Sequence, residues 1–345
     1  MFLRSLIELV ENGRIPDLLT RAGIRLLLLQ RLREQARENP DQEWQAMMAF
    51  VEEMRQSPIA LHTQEANEQH YELPPRFFEL VLGLHLKYSC CHFPEGVTKL
   101  EHAEASMLAL TCERAQLQNG QQILELGCGW GSLSLWMAKH YPNSSILAVS
   151  NSRPQLEFIE SRAKELGLTN LSLQTCDMND FTTEMHFDRV VSVEMFEHMR
   201  NWQLLLERIS YWLKPEGKLF IHIFSHRRYA YAFSSEGDSN WMGRYFFTGG
   251  IMPSNDLLLY FQKDLLLEQH WVLSGLHYQR TADAWLHMMD SQKGEILKTF
   301  RETYGKDADV WFQRWRIFFL ATSEVWGFRG GNEWLISHYL FNNRY

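Results

Sequence analysis

Two carboxylates and an imidazole lie within five residues of each other in the run Val193-Glu194-Met195-Phe196-Glu197-His198-Met199. Glutamate and histidine side chains can accept a proton from a reacting group, and histidine does so near neutral pH. The run ends an apolar, β-branched segment at 189–193, which is typical of a buried strand. We therefore expect Glu194, Glu197 and His198 to lie at the end of a strand and to handle protons there.

Three glycines spaced one residue apart follow a second apolar segment, in Ile123-Leu124-Glu125-Leu126-Gly127-Cys128-Gly129-Trp130-Gly131. Because glycine has no Cβ, a cofactor can approach the backbone of such a turn. The free N–H groups at the start of the following helix would also face that cofactor. The pattern is shorter than the GxGxxG of dinucleotide-binding enzymes, so by itself it leaves several nucleotide cofactors open.

These motifs lie in a part of the chain where strands and helices alternate. Repeated βα units imply a parallel sheet covered by helices on both faces, with ligands bound at the carboxyl ends of the strands. The fold class is therefore α/β. The predicted strands are 122–125, 145–149, 171–174, 189–193 and 218–223, and the predicted helices are 133–140, 155–166 and 203–213.

The rest of the chain predicts two additions to this core. Residues 1–118 have helical periodicity and are expected to form a helical N-terminal extension that caps the site. Residues 119–345 would form the α/β domain, in which the irregular stretch at about 226–265 has the composition of a lid-like insertion. The tail predicts a strand at 271–274, helices from 281 onwards and a last strand at 334–341.

Composition excludes several classes of function. The net charge of −8 argues against the phosphate backbone of nucleic acid as the main partner. Five cysteines without CxxC spacing favour reduced thiols and a cytoplasmic location, and we expect no metal site. No apolar run approaches the roughly 20 residues of a membrane span, and the arginine-rich helix at 21–37 is interpreted as a solvated packing helix, so membrane association is not expected.

The strand-acid-glycine pattern resembles motif I of the class I S-adenosylmethionine-dependent methyltransferases, a Rossmann-like α/β sandwich. In that family, this turn holds the amino-acid part of the cofactor. The segments after the next three strands match that family in order. After the second strand, Ser150–Gln155 supplies polar groups in place of the family's usual acidic residue. After the third, Cys176-Asp177-Met178 offers a carboxylate and an apolar contact to adenine, and Glu194 ends the fourth strand. The resemblance favours a methyltransferase over the competing interpretation as an NAD dehydrogenase. The cofactor residues that it implies are Tyr88, Ser89, Glu125, Gly127, Gly129, Gly131, Asn151, Gln155, Asp177, Met178 and Glu194.

The flanking motifs narrow the resemblance to the cyclopropane fatty acid synthase family over roughly residues 66–345. They are Tyr88-Ser89-Cys90, the polar segment at 150–155 and Glu197-His198-Met199. Within that family the chain looks most like the coclaurine N-methyltransferase-like enzymes, through Leu259-Tyr260-Phe261-Gln262, Trp315-Arg316-Ile317-Phe318 and Glu333-Trp334. The resemblance implies a mostly parallel sheet with an antiparallel last strand.

The implied reaction is methylation of a small amine, which could be aromatic or alkaloid-like. Glu197 and His198 would form the acid–base and substrate-orienting pair, with Glu194 supporting them. Side chains of the lid-like stretch and of the tail would bind a cationic or flat acceptor through cation–π and stacking contacts. The candidate substrate residues are His226, Tyr229, Tyr231, Trp241, Phe246 and Tyr278.

Two alternatives stay open at this point. A cyclopropane synthase would methylate a lipid double bond with the help of bound bicarbonate, whose ligand positions in the family map to Cys90, Glu197, His222, Phe224 and Tyr278. Phe224 is bulkier than the usual isoleucine, which weakens that assignment. A chain that binds S-adenosylmethionine without catalysis is the other alternative, and a homodimer is left open.

Overall fold

The computed structural model describes residues 2–61, 73–237 and 240–344, and the first part of the chain is helical. Helix α3 begins where the Asn39 side chain accepts the N–H of Gln42 and Pro40 occupies the first turn, both of which favour a helix start. The helices described before the sheet are α1 Phe2–Glu11, α2 Asp17–Gln35, α3 Pro40–Gln56, α4 Pro75–Val81 and α5 Leu100–Arg114.

Seven strands form one sheet in the order β3-β2-β1-β4-β5-β9-β8, and a second sheet pairs β6 with β7. The strands are β1 Gln122–Leu126, β2 Ser145–Ser150, β3 Leu171–Thr175, β4 Phe187–Val193, β5 Leu213–His226, β6 Tyr231–Ala232, β7 Ile251–Met252, β8 Leu265–Leu273 and β9 Trp334–Asn343.

The chain runs outward from β1 through β2 to β3 and then returns to β4 on the other side of β1. Neighbours among β1–β5 pair in parallel, whereas β9 pairs antiparallel with both β5 and β8. Four of the five residues of β1 are buried, as expected of a central strand covered on both faces. The strand order reverses between β1 and β4, and ligands of such sheets bind outside the carboxyl ends of the strands at that point.

Helices follow or flank these strands. Three of them belong to the repeated βα units, a short one lies in the 226–265 stretch, and three make up most of the tail. They are α6 Ser132–His140, α7 Arg153–Glu165, α8 Trp202–Trp212, α9 Trp241–Tyr245, α10 Leu276–Ser291, α11 Lys293–Tyr304 and α12 Ala308–Gly327.

The N-terminal helices are fixed to the tail by ion pairs. Arg21 lies 2.9 Å from Glu324 of α12 and 3.0 Å from Asp283 of α10, and Arg25 pairs with the same Glu324. Arginines at the start of the basic stretch in α2 are therefore used for packing inside the chain. No helix in the described part of the chain is both long and apolar enough to cross a membrane.

The stretch at 226–265 is made of short elements, apart from residues 238 and 239, which lie outside the described residues. β6 pairs with β7 through Ala232 and Ile251, and this pairing closes the stretch into a loop. The N-terminal helices contact the loop, because the Trp241 indole donates a hydrogen bond to Glu11 over 2.8 Å. Extension and loop are thus joined by a partly buried hydrogen bond.

The predicted α/β fold with a mostly parallel sheet and an antiparallel last strand is confirmed, with corrections at the boundaries. β5 begins at Leu213 and continues through Pro215 and Gly217, where the sequence predicted the end of a helix. β8 begins at Leu265, whereas the sequence predicted a strand only at 271–274. Burial along this edge strand is irregular, so the sequence lacks the clear alternation of apolar and polar residues from which the start of a strand is predicted. The tail helix α10 begins at Leu276 instead of 281.

Candidate active site

A cavity opens at the carboxyl ends of β1, β2 and β4, where the strand order reverses. Its wall combines the turns that follow these strands with the segment before α5 and with one face of α10. The candidate residues from the sequence that line it are Tyr88, Ser89, Glu125, Gly127, Gly129, Asn151, Gln155, Met178, Glu194, His198 and Tyr278.

The three glycines of the β1 turn all have left-handed φ values, of 80° at Gly127, 52° at Gly129 and 81° at Gly131. A Cβ at Gly127 would lie 2.6 Å from Met195, and one at Gly131 would lie 2.6 Å from Ile159. A Cβ at Gly129 would meet no atom of the described residues within 4 Å. Gly127 and Gly131 therefore permit close packing, while Gly129 leaves open space beside the cavity.

Polar atoms without partners also point to a polar ligand in this cavity. Among the described residues that line it, the Trp130 Nε1, Ser132 Oγ and Gln155 Nε2 atoms are buried and have no hydrogen-bond partner. Buried polar groups are normally hydrogen-bonded, so a bound nucleoside or amino-acid group would complete these three. The residues present thus fit the cofactor that the sequence implied.

Glu125 lies on β1 at the base of the turn and is buried, with the Ser134 hydroxyl donating to its carboxyl group. Burial raises the pKa of Glu125 to about 8, and the Ser134 hydrogen bond opposes this only in part. A neutral carboxyl group at a cavity wall is able to ionise when a cationic ligand group arrives. This matches the amino-acid end of the implied cofactor.

Glu194 begins the turn after β4 with a left-handed φ of 48°, and its N–H donates to the carbonyl of His222 over 2.8 Å. The Glu194 carboxylate accepts the Cys90 N–H and the Tyr278 O–H, each at 2.8 Å. The His222 Nε2 atom lies 3.4 Å from the same carboxylate. Burial raises the pKa of Glu194, while Lys87 and these hydrogen bonds act in the opposite direction.

His198 ends a short 3₁₀ helix, Phe196–His198, that follows Glu194. Burial lowers the pKa of His198 to about 4, although the nearby Glu194 carboxylate works against this. The imidazole is therefore neutral at pH 7 and carries a lone pair. It lines the cavity and stacks on the ring of Phe247. A neutral imidazole at this wall can accept a proton from a group in the cavity.

Glu197 precedes His198 in sequence, but its side chain is fully buried. One carboxyl oxygen accepts the N–H of Phe224 over 2.6 Å, and the other has no partner among the described residues. Burial, together with the Glu194 carboxylate, raises the pKa of Glu197 well above its ordinary value. Glu197 thus lies behind the cavity wall, and its role in a substrate-orienting pair with His198 stays a prediction.

Within the described ranges, the cavity wall does not include several other candidates. The His226 Nδ1 accepts the N–H groups of Arg228 and Tyr229, which caps the turn after β5. The Asp177 carboxylate accepts the N–H of Asn179 at 2.8 Å. The remaining candidates pack in the interior or against the N-terminal helices. The candidates outside the cavity wall are Gly131, Asp177, Glu197, His226, Tyr229, Tyr231, Trp241 and Phe246.

Other residues of the wall were missed by sequence reasoning. Lys87 is buried beside the candidate Ser89 and donates a hydrogen bond to its hydroxyl. A lone lysine in an apolar run was the available signal for it. Thr248 comes from the 226–265 loop, and no pattern in the sequence indicated it. Its neighbour Phe247 belongs to the aromatic run from which an acceptor site was expected, and it lines the wall where the candidate Phe246 does not.

Comparisons with known proteins show the family of the chain. A model of the mycolic acid cyclopropane synthetase family matches residues 60–326. (S)-Coclaurine N-methyltransferase of Thalictrum flavum subsp. glaucum is 36% identical over 99% of this chain and 96% of its own. The enzyme of the same name from Papaver somniferum is 35% identical over 100% of both. The crystal structure of a coclaurine N-methyltransferase bound to N-methylheliamine and SAH superposes with a TM-score of 0.95, at 36% identity and 98% coverage of both chains.

The family model spans most of the chain, and the relatives span nearly all of it. The predicted resemblance is confirmed by both. The chain therefore belongs to the mycolic acid cyclopropane synthetase family and is an S-adenosylmethionine-dependent methyltransferase.

Proposed function

We propose that this enzyme methylates the nitrogen of a small amine that carries an aromatic or alkaloid-like group. The observation that carries the proposal is that a neutral imidazole, His198, and the carboxylate of Glu194 line the same cavity. Three relatives support the acceptor class by name, as two coclaurine N-methyltransferases and a pavine N-methyltransferase.

The site has to remove a proton from the acceptor before the methyl group can be transferred. A secondary alkyl amine is protonated at neutral pH, so it has no lone pair until it loses that proton. The His198 ring is neutral at pH 7 and can accept this proton; burial lowers its pKa to about 4 and weakens it as a base, an effect that the Glu194 carboxylate opposes. The Glu194 carboxylate favours the imidazolium that results, since opposite charges attract strongly in a buried site.

We assign the cofactor to the part of the cavity formed by the β1 and β2 turns. Glu125, Gly129 and Gln155 would hold it, together with Asn151 and Met178. When bound, S-adenosylmethionine supplies an electrophilic methyl group. The contribution of the chain is to hold the amine in line with that group, which lowers the entropic part of the barrier.

We assign the acceptor to the aromatic side of the cavity. Phe224, Phe247 and Tyr278 line this side, and the rings of Phe224 and Phe247 are 5.6 Å apart between centroids. Such faces attract a cation or a flat ring. Glu197 acts here as a positioning residue, because its carboxyl group holds the backbone N–H of Phe224.

A panel of primary, secondary and tertiary amines with labelled S-adenosylmethionine tests the proposal. We expect His198→Ala to lower kcat by ~10²–10³-fold, as is typical for loss of a general base, while cofactor affinity stays within about twofold. Glu197→Ala is expected to lower turnover as well and to retain cofactor binding. His102→Ala is the matched control, because the His102 side chain is 64% exposed. Wild-type rates in both site variants would remove the assigned roles.

The same measurements separate the alternatives. Turnover on vesicles of unsaturated phospholipid, with no amine accepted, would replace the proposal with a lipid methyltransferase. Saturable cofactor binding by calorimetry without turnover on either panel would indicate a binding protein. We further propose a cytoplasmic location and no nucleic-acid partner, on the free cysteines and the net charge of −8. Recovery of the protein in a membrane fraction would contradict this location.

A further inference from the structure

The carboxylate of Glu194 fills a small cradle formed by three groups from distant parts of the chain. These are the Cys90 N–H, the Tyr278 O–H and the His222 imidazole, which we call the anion cradle. The first two donate hydrogen bonds of 2.8 Å to different carboxylate oxygens, and His222 Nε2 lies 3.4 Å from one of them. Two donors and a third nitrogen around one planar oxyanion make a site shaped for a carboxylate.

The anion cradle uses three of the five positions that the family resemblance implies for bicarbonate. The other two positions, Glu197 and Phe224, are hydrogen-bonded to each other over 2.6 Å. Among the described residues, the second carboxyl oxygen of Glu197 and both ring nitrogens of His222 have no hydrogen-bond partner, but the Glu194 carboxylate occupies the space between the first three positions. The residues present do not fit a separate bicarbonate ion.

The backbone at Glu194 supports the same interpretation. Its φ of 48° lies in the left-handed region, which costs a side-chain-bearing residue about 1–2 kcal/mol relative to glycine. Strain of this kind is offset by contacts with the surroundings. The two hydrogen bonds that the Glu194 carboxylate accepts in the cradle supply such contacts.

We propose that the Glu194 carboxylate, a covalent part of the chain, is the anion that occupies the anion cradle, and that the enzyme therefore needs no free bicarbonate. The proposal deepens the function proposed above and rests on it only for the role of this anion beside the methyl acceptor. It implies that removing the side chain opens the cradle to small planar oxyanions such as formate and bicarbonate.

The variant Glu194→Gly tests this, because glycine accepts the left-handed backbone without strain. We expect added formate or bicarbonate to raise the melting temperature of Glu194→Gly saturably, by ~1–3 °C, through mass-action stabilisation. The same ions should leave the wild type unchanged. Glu216→Gly is the matched control, because Glu216 also has a left-handed φ, of 63°, but is exposed. The double variant Glu194→Gly/Tyr278→Phe should lose the formate effect.

Turnover gives a second readout that separates this proposal from the function above. The wild type should methylate its amine at the same rate in bicarbonate-depleted buffer, and Glu194→Gly should lose most of its rate and recover at least ~5-fold with formate. A wild type that requires bicarbonate overturns the proposal, as does a folded Glu194→Gly that shows no saturable response to formate. If Glu194→Gly does not fold, the bicarbonate requirement of the wild type decides. The melting temperature of Glu194→Gly is measured without a methyl acceptor. If no amine of the panel is methylated, the proposed function fails, and the melting data still support or overturn the anion site.

Discussion

The imidazole ring of His198 stacks on the ring of Phe247, with 4.7 Å between centroids and 22° between planes. The two residues come from different elements, His198 from the 3₁₀ helix after β4 and Phe247 from the 226–265 loop. Phe247 also contacts Phe233, at 5.2 Å between centroids. The loop therefore helps to fix the orientation of the proposed base.

The variant Phe247→Leu should keep most of the apolar volume but lose the flat surface on which His198 rests. We expect kcat for amine methylation to fall by ~10-fold, which corresponds to about 1.4 kcal/mol of barrier, while cofactor affinity stays unchanged. Steady-state kinetics and calorimetry measure the two quantities. Phe233→Leu is the control, since Phe233 is one ring further from His198. Equal losses in both variants would show that the loop acts by general packing.

The glycines of the β1 turn should respond differently to alanine. Both Gly127→Ala and Gly129→Ala pay about 1–2 kcal/mol for a left-handed φ. Only Gly127→Ala adds a Cβ that would lie 2.6 Å from Met195, so it should lower the melting temperature of the cofactor-free protein more. Gly129→Ala should instead weaken cofactor binding by ~10-fold or more, about 1.4 kcal/mol, because its Cβ would take up space at the cavity that the cofactor needs. Wild-type cofactor affinity in Gly129→Ala would contradict the assignment of this turn.

Sequence reasoning found the parts of the site that depend on backbone geometry. A strand followed by spaced glycines has few structural solutions, and Glu125, Gly127 and Gly129 do line the cavity wall; their contact with the cofactor stays a prediction. Sequence reasoning did less well where neighbours in sequence face different surroundings. Phe246 stacks on Phe318 in the core at 4.5 Å, whereas the next residue, Phe247, stacks on His198. Composition cannot distinguish two adjacent aromatics.

The same limit applies to Glu197 and His198. They are adjacent in a 3₁₀ turn, so their side chains leave the backbone in different directions. The resemblance paired them, while the fold buries Glu197 against the N–H of Phe224 and leaves His198 at the cavity. Only the position of β5 beside β4 decides which of the two faces the ligand, and that pairing is a long-range property of the sheet.

Cofactor binding should release a proton from Glu125. Burial raises the pKa of Glu125 to about 8 in the cofactor-free protein, so most of the carboxyl groups are protonated at pH 7. If the cationic amino group of the cofactor pairs with the carboxylate, binding favours the ionised form, and affinity should rise by up to about tenfold between pH 6 and pH 7. Calorimetry at pH 7 in two buffers of different ionisation enthalpy measures the number of protons released.

The variant Glu125→Gln is the matched control for this proton. It keeps the shape of the side chain and can accept from Ser134, but it does not titrate. Titration of the cofactor itself is common to both proteins and cancels in the comparison. Equal proton release from the two proteins would mean that Glu125 stays protonated in the complex.

His226 should make the protein sensitive to acid. Its Nδ1 accepts the N–H groups of Arg228 at 3.0 Å and Tyr229 at 2.8 Å, so the proton of the neutral ring is on Nε2, which lies 3.3 Å from Glu333. Burial lowers the pKa of His226 to about 4, although Glu333 opposes this, while Arg227 and Arg329 lower it further. In the unfolded chain the value is about 6.5.

The unfolded state therefore binds more protons than the folded state between pH 6.5 and pH 4. By linkage, the stability that comes from the neutral ring is fully present above pH 6.5 and is lost as the pH falls towards 4. His226→Asn replaces Nδ1 with an amide oxygen that can accept the same N–H groups and does not titrate. We expect this variant to be less stable than the wild type at pH 7 and to approach it as the pH falls.

Urea unfolding of both proteins from pH 7 to pH 4.5 measures this difference directly. Other buried histidines, such as His198 and His277, also have pKa values lowered to about 4, so both proteins should lose stability in acid. Their contribution is the same in the two proteins, and only the shrinking difference between the curves reports on His226. Parallel curves would mean that the cap after β5 survives protonation, which would require the turn to find another acceptor for the two N–H groups.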